Sequence, residues 1–285
     1  MSELVHNLGR LRRENQRIFI NTQEIFGVQS VNSSFDVQHQ PLKHIGQNNS
    51  PNLIYPGNQN GNVSISQILV TNDQFLPFTG ESGFNGYVLR RYKDNSTNYS
   101  FTSGYLTSYS SRCSIGEIPQ VDVNLMVLDN LGNIPSGYSL QTSGDFNAIA
   151  GLTDNFSANI AGYGSISINL SDFTTNRVLG YNLEIQIPRN PVYRIGRQLP
   201  EGVFTNYPLE VTCSFDFDRN DYANKELRDF LCNPTTQNLT LTLKNYLSSA
   251  TIQTFTFNSM KFVGESYKTD ANGNVSVTTT YKKFL

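Results

Sequence analysis

The chain has 285 residues, of which 38% are hydrophobic, 12% aromatic and only 15% charged, against about 25% charged in an ordinary soluble domain. With 21 basic and 23 acidic residues and a formal net charge of -2, it lacks the basic footprint of a dedicated nucleic-acid binder. Its aromatic content and low net charge also exclude the composition of a disordered chain.

The N-terminal stretch, residues 1–16, reads as a polar arm. Arg10, Arg12 and Arg13, with Arg17 just beyond it, form a basic cluster, and Leu4, Leu8 and Leu11 recur at helical spacing. The stretch is unlike a secretory leader, and no run of about 18 apolar residues follows that could span a membrane. The expectation is a soluble chain. The three cysteines, Cys113, Cys213 and Cys232, are too few for a disulfide framework and suggest reduced thiols in a cytoplasmic setting.

From Arg17 onward the sequence reads as β-structure. Alternating or β-branched runs predict strands at 17–20, 30–37, 63–70, 121–128, 165–170, 182–187, 209–217, 239–243, 252–257 and 275–281. Turn signals such as Pro56-Gly57, Asn60-Gly61, Asn85-Gly86 and Asn272-Gly273-Asn274 separate them. Residues 221–231 place Tyr222, Leu227, Phe230 and Leu231 near one helical face, with Asn220 or Asp221 as cap and Pro234 as stop. This predicts one short helix. Its counterpart at 72–78 contains Pro77 and is expected to be shorter or irregular.

The chain also repeats itself. Val28, Pro41, Ile45 and Gly46 recur as Val178, Pro191, Ile195 and Gly196, each 150 positions later. Val63 to Ser66 pairs with Val211 to Ser214 at an offset of 148, and Val121 to Asn124 with Val275 to Thr278 at 154. The expected organisation is therefore an arm at 1–16, a first β domain at 17–135, a Gly/Ser-rich linker or extended loop at 136–164, and a second β domain at 165–285.

Signals for chemistry are sparse. His6, His39 and His44 are the only histidines; His39 and His44 are awkwardly spaced for a shared metal and read as surface imidazoles. Asp216, Asp218 and Asn220 alternate like a calcium loop. Asp221 stands where that loop needs Gly, however, and Leu227 where it needs Glu, so strand and cap roles fit better. Asp122 and Asp129 read as solvent-facing. Gly162-Tyr163-Gly164 lacks the helix that phosphate cradling requires. No catalytic, cofactor-binding or metal-ligating residue is identified, and the expectation is a non-enzymatic protein.

Three stretches carry a resemblance. RIFINTQEIFGVQSV at 17–31, NVSISQILVTNDQFLPFTG at 62–80 and YLTSYSSRCSIGEIPQVDVNLMV at 105–127 resemble the first hairpin, central strand and late strands of tailed-bacteriophage tail tube proteins. The resemblance implies two tandem tube-type β-sandwich domains that complete a β-barrel on oligomerisation. It further implies stacked rings whose lumen conducts double-stranded DNA without specific binding. In that setting the chain would be a virion tail protein assembled in the host cytoplasm, contacting sheath, baseplate and tape-measure proteins. A duplicated chain suggests three subunits per ring with pseudo-sixfold symmetry, against the alternative of six. Stacking segments would be 1–16, 44–61 and 134–164. The competing readings are a baseplate hub or tube-initiator of the same fold, and a carbohydrate-binding β-sandwich module. The absence of Trp counts against the second. A glycosidase would need a carboxylate pair that the sequence does not display.

Overall fold

The structure is a computed structural model. It describes residues 16–21, 23–41, 54–69, 73–80, 83–92, 95–128, 160–162, 164–170, 173–175, 177–195, 199–218, 236–269 and 275–285. The arm at 1–15, most of the 134–164 stretch, His6, His44, Asp129, Cys232 and the helix expected at 221–231 lie outside the described residues, as does the side chain of His39.

The fold is all-β, as expected. A 14-stranded antiparallel sheet dominates, and a 2-stranded sheet stands apart from it. The first half contributes β1 (Gln16–Ile20), β2 (Gln23–Glu24), β3 (Val28–Pro41), β4 (Ile54–Ile68), β5 (Phe84–Tyr92), β6 (Asn95–Ser114) and β7 (Gln120–Val127). The second half contributes β8 (Ile166–Leu170), β9 (Phe173–Thr175), β10 (Val178–Gln186), β13 (Glu210–Asp218), β14 (Thr236–Lys244), β15 (Thr251–Lys268) and β16 (Ser276–Phe284). The small sheet is the hairpin of β11 (Arg189–Val192) and β12 (Gly202–Thr205). Among the described residues the only helical piece is a 3-10 turn at Leu76–Thr79, with Pro77 in its first turn, in keeping with the irregular segment expected at 72–78. No helix among them is long and apolar enough to cross a membrane.

Strand order repeats. In the first half the hydrogen-bonded neighbours run β3-β4-β7-β6-β5-β1-β2, and in the second half β10-β13-β16-β15-β14-β8-β9. The irregularities repeat too: β3 slips against β4 between Val28 and Ser30, and β10 slips against β13 between Val178 and Gly180. That pair keeps the 150 offset read from the sequence.

The other two offsets need correction. Val28 faces Gln67 and Val178 faces Phe217, so β4 matches β13 at 150, not 148. The slip of β6 on β7 between Leu106 and Ser108 recurs in β15 on β16 between Phe262 and Gly264. There Leu106 faces Leu125 and Phe262 faces Tyr281, which sets the closing strand at an offset of 156, not 154.

Alternation decides which face is buried. Val121, Val123, Leu125 and Val127 on β7, and Val211, Cys213, Phe215 and Phe217 on β13, are all buried while their neighbours face out, as a half-buried antiparallel sheet requires. Full burial of each such side chain contributes about 1.5–3 kcal/mol. The sheet folds back on itself, so that β8 contacts β10. Ile166, Ile168, Leu170, Leu239, Leu241 and Leu243 then join Leu183, Ile185 and Phe215 in one core. β6 and β15 make this possible by being long. β6 pairs with β5 through Asn95–Gly104 and with β7 from Gly104 onward. At Gly104 a Cβ would meet the Phe101 ring at 2.5 Å, so glycine suits the point where the strand passes from one pairing to the other.

Candidate functional surfaces: two open sheet edges and a polar face

The two halves are joined edge to edge. β6 pairs antiparallel with β10, from Ser108 opposite Gln186 to Ser114 opposite Gly180. Beyond the ladder, the Ile187 amide donates to the Thr107 carbonyl at 2.8 Å and the Ile115 amide to the Leu179 carbonyl at 2.9 Å. One continuous layer results: β3-β4-β7-β6-β10-β13-β16-β15.

Buried polar side chains stand along this junction, and one pair crosses it. Tyr109 Oη donates to Asp73 Oδ2 at 2.5 Å, while Asp73 Oδ1 accepts the Phe75 amide at 2.8 Å. Burial pushes the Asp73 carboxyl above its ordinary value, against the bonds from Tyr109 and from the Phe75 and Leu76 amides. Burial and the neighbouring Asp73 carboxylate push the Tyr109 phenol well up, so the proton stays on the phenol. Ser111 Oγ and Tyr181 Oη lie 3.0 Å apart across the junction. Burial raises Tyr181 as well, and it pushes the Cys113 thiol up to about 12, leaving that thiol inert. Arg189, at the base of the β11–β12 hairpin, donates to the Leu106 carbonyl at 2.9 Å and stands over the Tyr105 ring at 6.0 Å.

Among the described residues, the layer ends at β3 and at β15. Among the described pairings, β3 pairs with β4 alone. β15 is flanked by β14 through Lys261 and by β16 from Lys261 onward, so among the described strands Phe262–Lys268 pairs with β16 alone. These edges are the counterparts of the two that meet inside the chain: β10 corresponds to β3, and β6 to β15. Residues 28–35 of β3 hold no charge and no proline, which are the usual guards of an exposed edge.

The outward face of the layer is polar. Ser64, Asn124, Ser110, Asn182, Thr212, Ser214 and Thr280 represent its character. Asp122, Glu184, Glu210, Asp216 and Asp218 are its carboxylates among the described side chains, and Arg112, Lys261, Lys268 and Lys282 its cations. Arg112 lies 3.6 Å from Asp122, and Lys282 Nζ donates to Glu210 Oε1 at 2.5 Å. The Lys282 bond holds the Glu210 carboxyl below its usual value. Asp216 Oδ1 accepts the Thr278 hydroxyl at 2.5 Å. Asp216 and Asp218 thus stand on a strand face, and Asn220 lies outside the described residues. Among the described residues no cluster of His, Cys, Asp and Glu could hold a metal ion.

A third surface is apolar. Val192, Ile195, Phe204 and Tyr207, on or beside the β11–β12 hairpin, are exposed, Ile195 fully and Phe204 to 62%. Isolated exposed apolar residues are ordinary, whereas these four are grouped on one hairpin. Sequence reading singled out Ile195 only as part of the repeat and did not foresee the group.

Fold and surfaces together define an all-β chain whose layer, among the described residues, ends in two mutually corresponding edges. No family model and no curated protein matches the chain. A solved structure of Hcp1 from Flavobacterium johnsoniae is similar over 42% of this chain and 93% of its own, at 10% identity and a TM-score of 0.26.

Proposed function

We propose that the chain is a non-enzymatic structural protein whose copies join edge to edge into closed rings, and that stacked rings form the inner tube of a bacteriophage tail. The observation that carries this reading is the β6–β10 junction: the chain already contains one copy of a contact whose two halves recur, open, at β15 and β3. Repeating a heterologous contact gives a closed ring when the rotation closes, and closure removes the exposed edges. The reading takes each half as a tube-type domain, so three chains supply six domains and the ring is a trimer with pseudo-sixfold symmetry. The polar layer face lines the bore. Hydroxyls, amides and nearly balanced charges hold no counterion-releasing basic array, so double-stranded DNA passes without being gripped. The exposed β11–β12 hairpin supplies part of the contact between stacked rings.

Negative-stain electron microscopy of the purified protein at rising concentration tests the reading, together with native mass spectrometry of the smallest closed species. Rings or hollow tubes with a bore near the width of a DNA duplex, at three chains per ring, are the expected result. Six chains per ring would sink the trimer, and a persistent monomer would sink the ring.

A further inference from the structure

The repeat is regular enough to specify how one chain meets the next. We infer that Gly264–Thr269 of one copy pairs antiparallel with Val31–Asp36 of a second copy, with Gly264 opposite Asp36, Ser266 opposite Ser34 and Lys268 opposite Asn32. This rests on the ring reading above and adds its register.

Backbone positions alone fix this register. Within the chain, Ser108 faces Gln186, Ser110 faces Glu184 and Arg112 faces Asn182. The shared slip in β6 and β15 carries Ser108 to Gly264, Ser110 to Ser266 and Arg112 to Lys268, each 156 positions on. The shared slip in β3 and β10 carries Gln186 back to Asp36, Glu184 to Ser34 and Asn182 to Asn32, each 150 positions. The residue skipped at the slip is Thr107 in β6 and Val263 in β15. Since the Thr107 carbonyl accepts the Ile187 amide, the Val263 carbonyl is the acceptor for the Val37 amide of the second copy.

The open edge fits such a visitor. A Cβ at Gly264 would meet nothing within 4 Å, so a strand can approach there. Val263 and Tyr267 are 54% and 46% exposed, although Tyr267 occupies the position of the fully buried Ser111. Glu265 stands where Tyr109 stands at the internal junction, and its Oε2 is buried without a hydrogen-bond partner. At the other edge Asn32, Ser33 and Ser34 are exposed. Size is exchanged across the two junctions: small Ser111 and large Tyr181 inside the chain become large Tyr267 and smaller Val31 between chains. A one-residue slip would turn every side chain of the docking strand to the wrong face. The register is therefore a definite property of the contact.

Directly opposite residues of antiparallel strands have Cα atoms about 4.5–5.5 Å apart, within disulfide reach, whereas residues two positions out of register fall beyond it. The test uses the full chain with Cys232→Ser as background. Ser34→Cys is combined with Ser266→Cys, and in separate proteins with Gly264→Cys or Lys268→Cys. After mild oxidation of assembled protein, non-reducing gels of the 34/266 pair should show covalent dimers and closed trimers at least tenfold above the 34/264 and 34/268 pairs. If rings are seen by microscopy but one of the shifted pairs links best, or none links, the register is overturned and the ring reading stands. If the background protein forms no ring, both fall.

Discussion

Tyr109→Phe isolates one buried bond beside the internal junction, the one that ties β6 to Asp73. The phenol donates to Asp73 Oδ2 at 2.5 Å, and neither residue has appreciable access to water. Removing only the hydroxyl leaves the ring and its packing near Phe255, with centroids 6.5 Å apart, and deletes one bond to a carboxylate. Such bonds contribute about 1.5–3 kcal/mol, against about 0.5–1.5 kcal/mol for a neutral pair. The cost should therefore depend on pH. Burial places the folded-state pKa of Asp73 above its unfolded value, so the folded state binds the extra proton between the two values. The wild-type chain accordingly gains stability as pH falls through the folded pKa toward 3.8. Without the phenol the folded pKa rises further. The deficit of the variant should then be about 1.5–3 kcal/mol at pH 8 and shrink toward about 1 kcal/mol near pH 4. Urea unfolding of unassembled protein at both pH values measures this through the midpoint at unchanged slope. A deficit under about 0.5 kcal/mol at pH 8, or one that does not shrink on acidification, would refute the argument that the phenol serves a buried carboxylate.

Three further outcomes follow from other parts of the molecule. Leu183→Ala empties a fully buried position on β10 and should cost about 2–5 kcal/mol by urea unfolding. Opposed lysines, Ser34→Lys with Ser266→Lys, should weaken each inter-chain junction by about 0.2–1 kcal/mol and raise the concentration needed for rings in light scattering. Ser34→Lys with Ser266→Glu should restore it. Glu184→Lys with Asp218→Lys makes the polar face basic, and tubes of that variant should bind duplex DNA with an affinity that falls steeply from 50 to 200 mM salt, as fluorescence anisotropy would show. The unaltered tubes should give no such signal.

What was legible in the sequence follows the physics of strands. Pro41 and Pro191 exposed the repeat because proline in or at the end of a strand is a rare, position-specific residue. The offsets of 148 and 154 each missed by two, since a shift of two preserves the alternation of buried and exposed positions. Only the hydrogen-bonded register, with its slips at Leu106/Ser108 and Phe262/Gly264, separates those solutions. β5 and the first part of β6 went unread because FNGYVLRRY and NSTNYSFTSG carry no regular apolar alternation. β15 was foreseen only as 252–257, whereas it runs to Lys268, because its continuation FVGESYK lies along an open edge and keeps apolar residues exposed. The Asp73–Tyr109 pair was invisible for another reason: its members are 36 residues apart, and nothing local marks either as buried.

In the proposed ring, the internal junction would bear on how assembly is controlled. Because β6 and β10 belong to one polypeptide, their contact forms during folding and requires no second molecule. The usual association cost of about 4–15 kcal/mol is absent there. A ring of three such chains would need two encounters where six separate domains would need five. Selection can then act on the two classes of seam independently. The covalent seam can be made permanent with buried polar locks, while the open one is kept weak enough that rings begin only where a template holds the first chain.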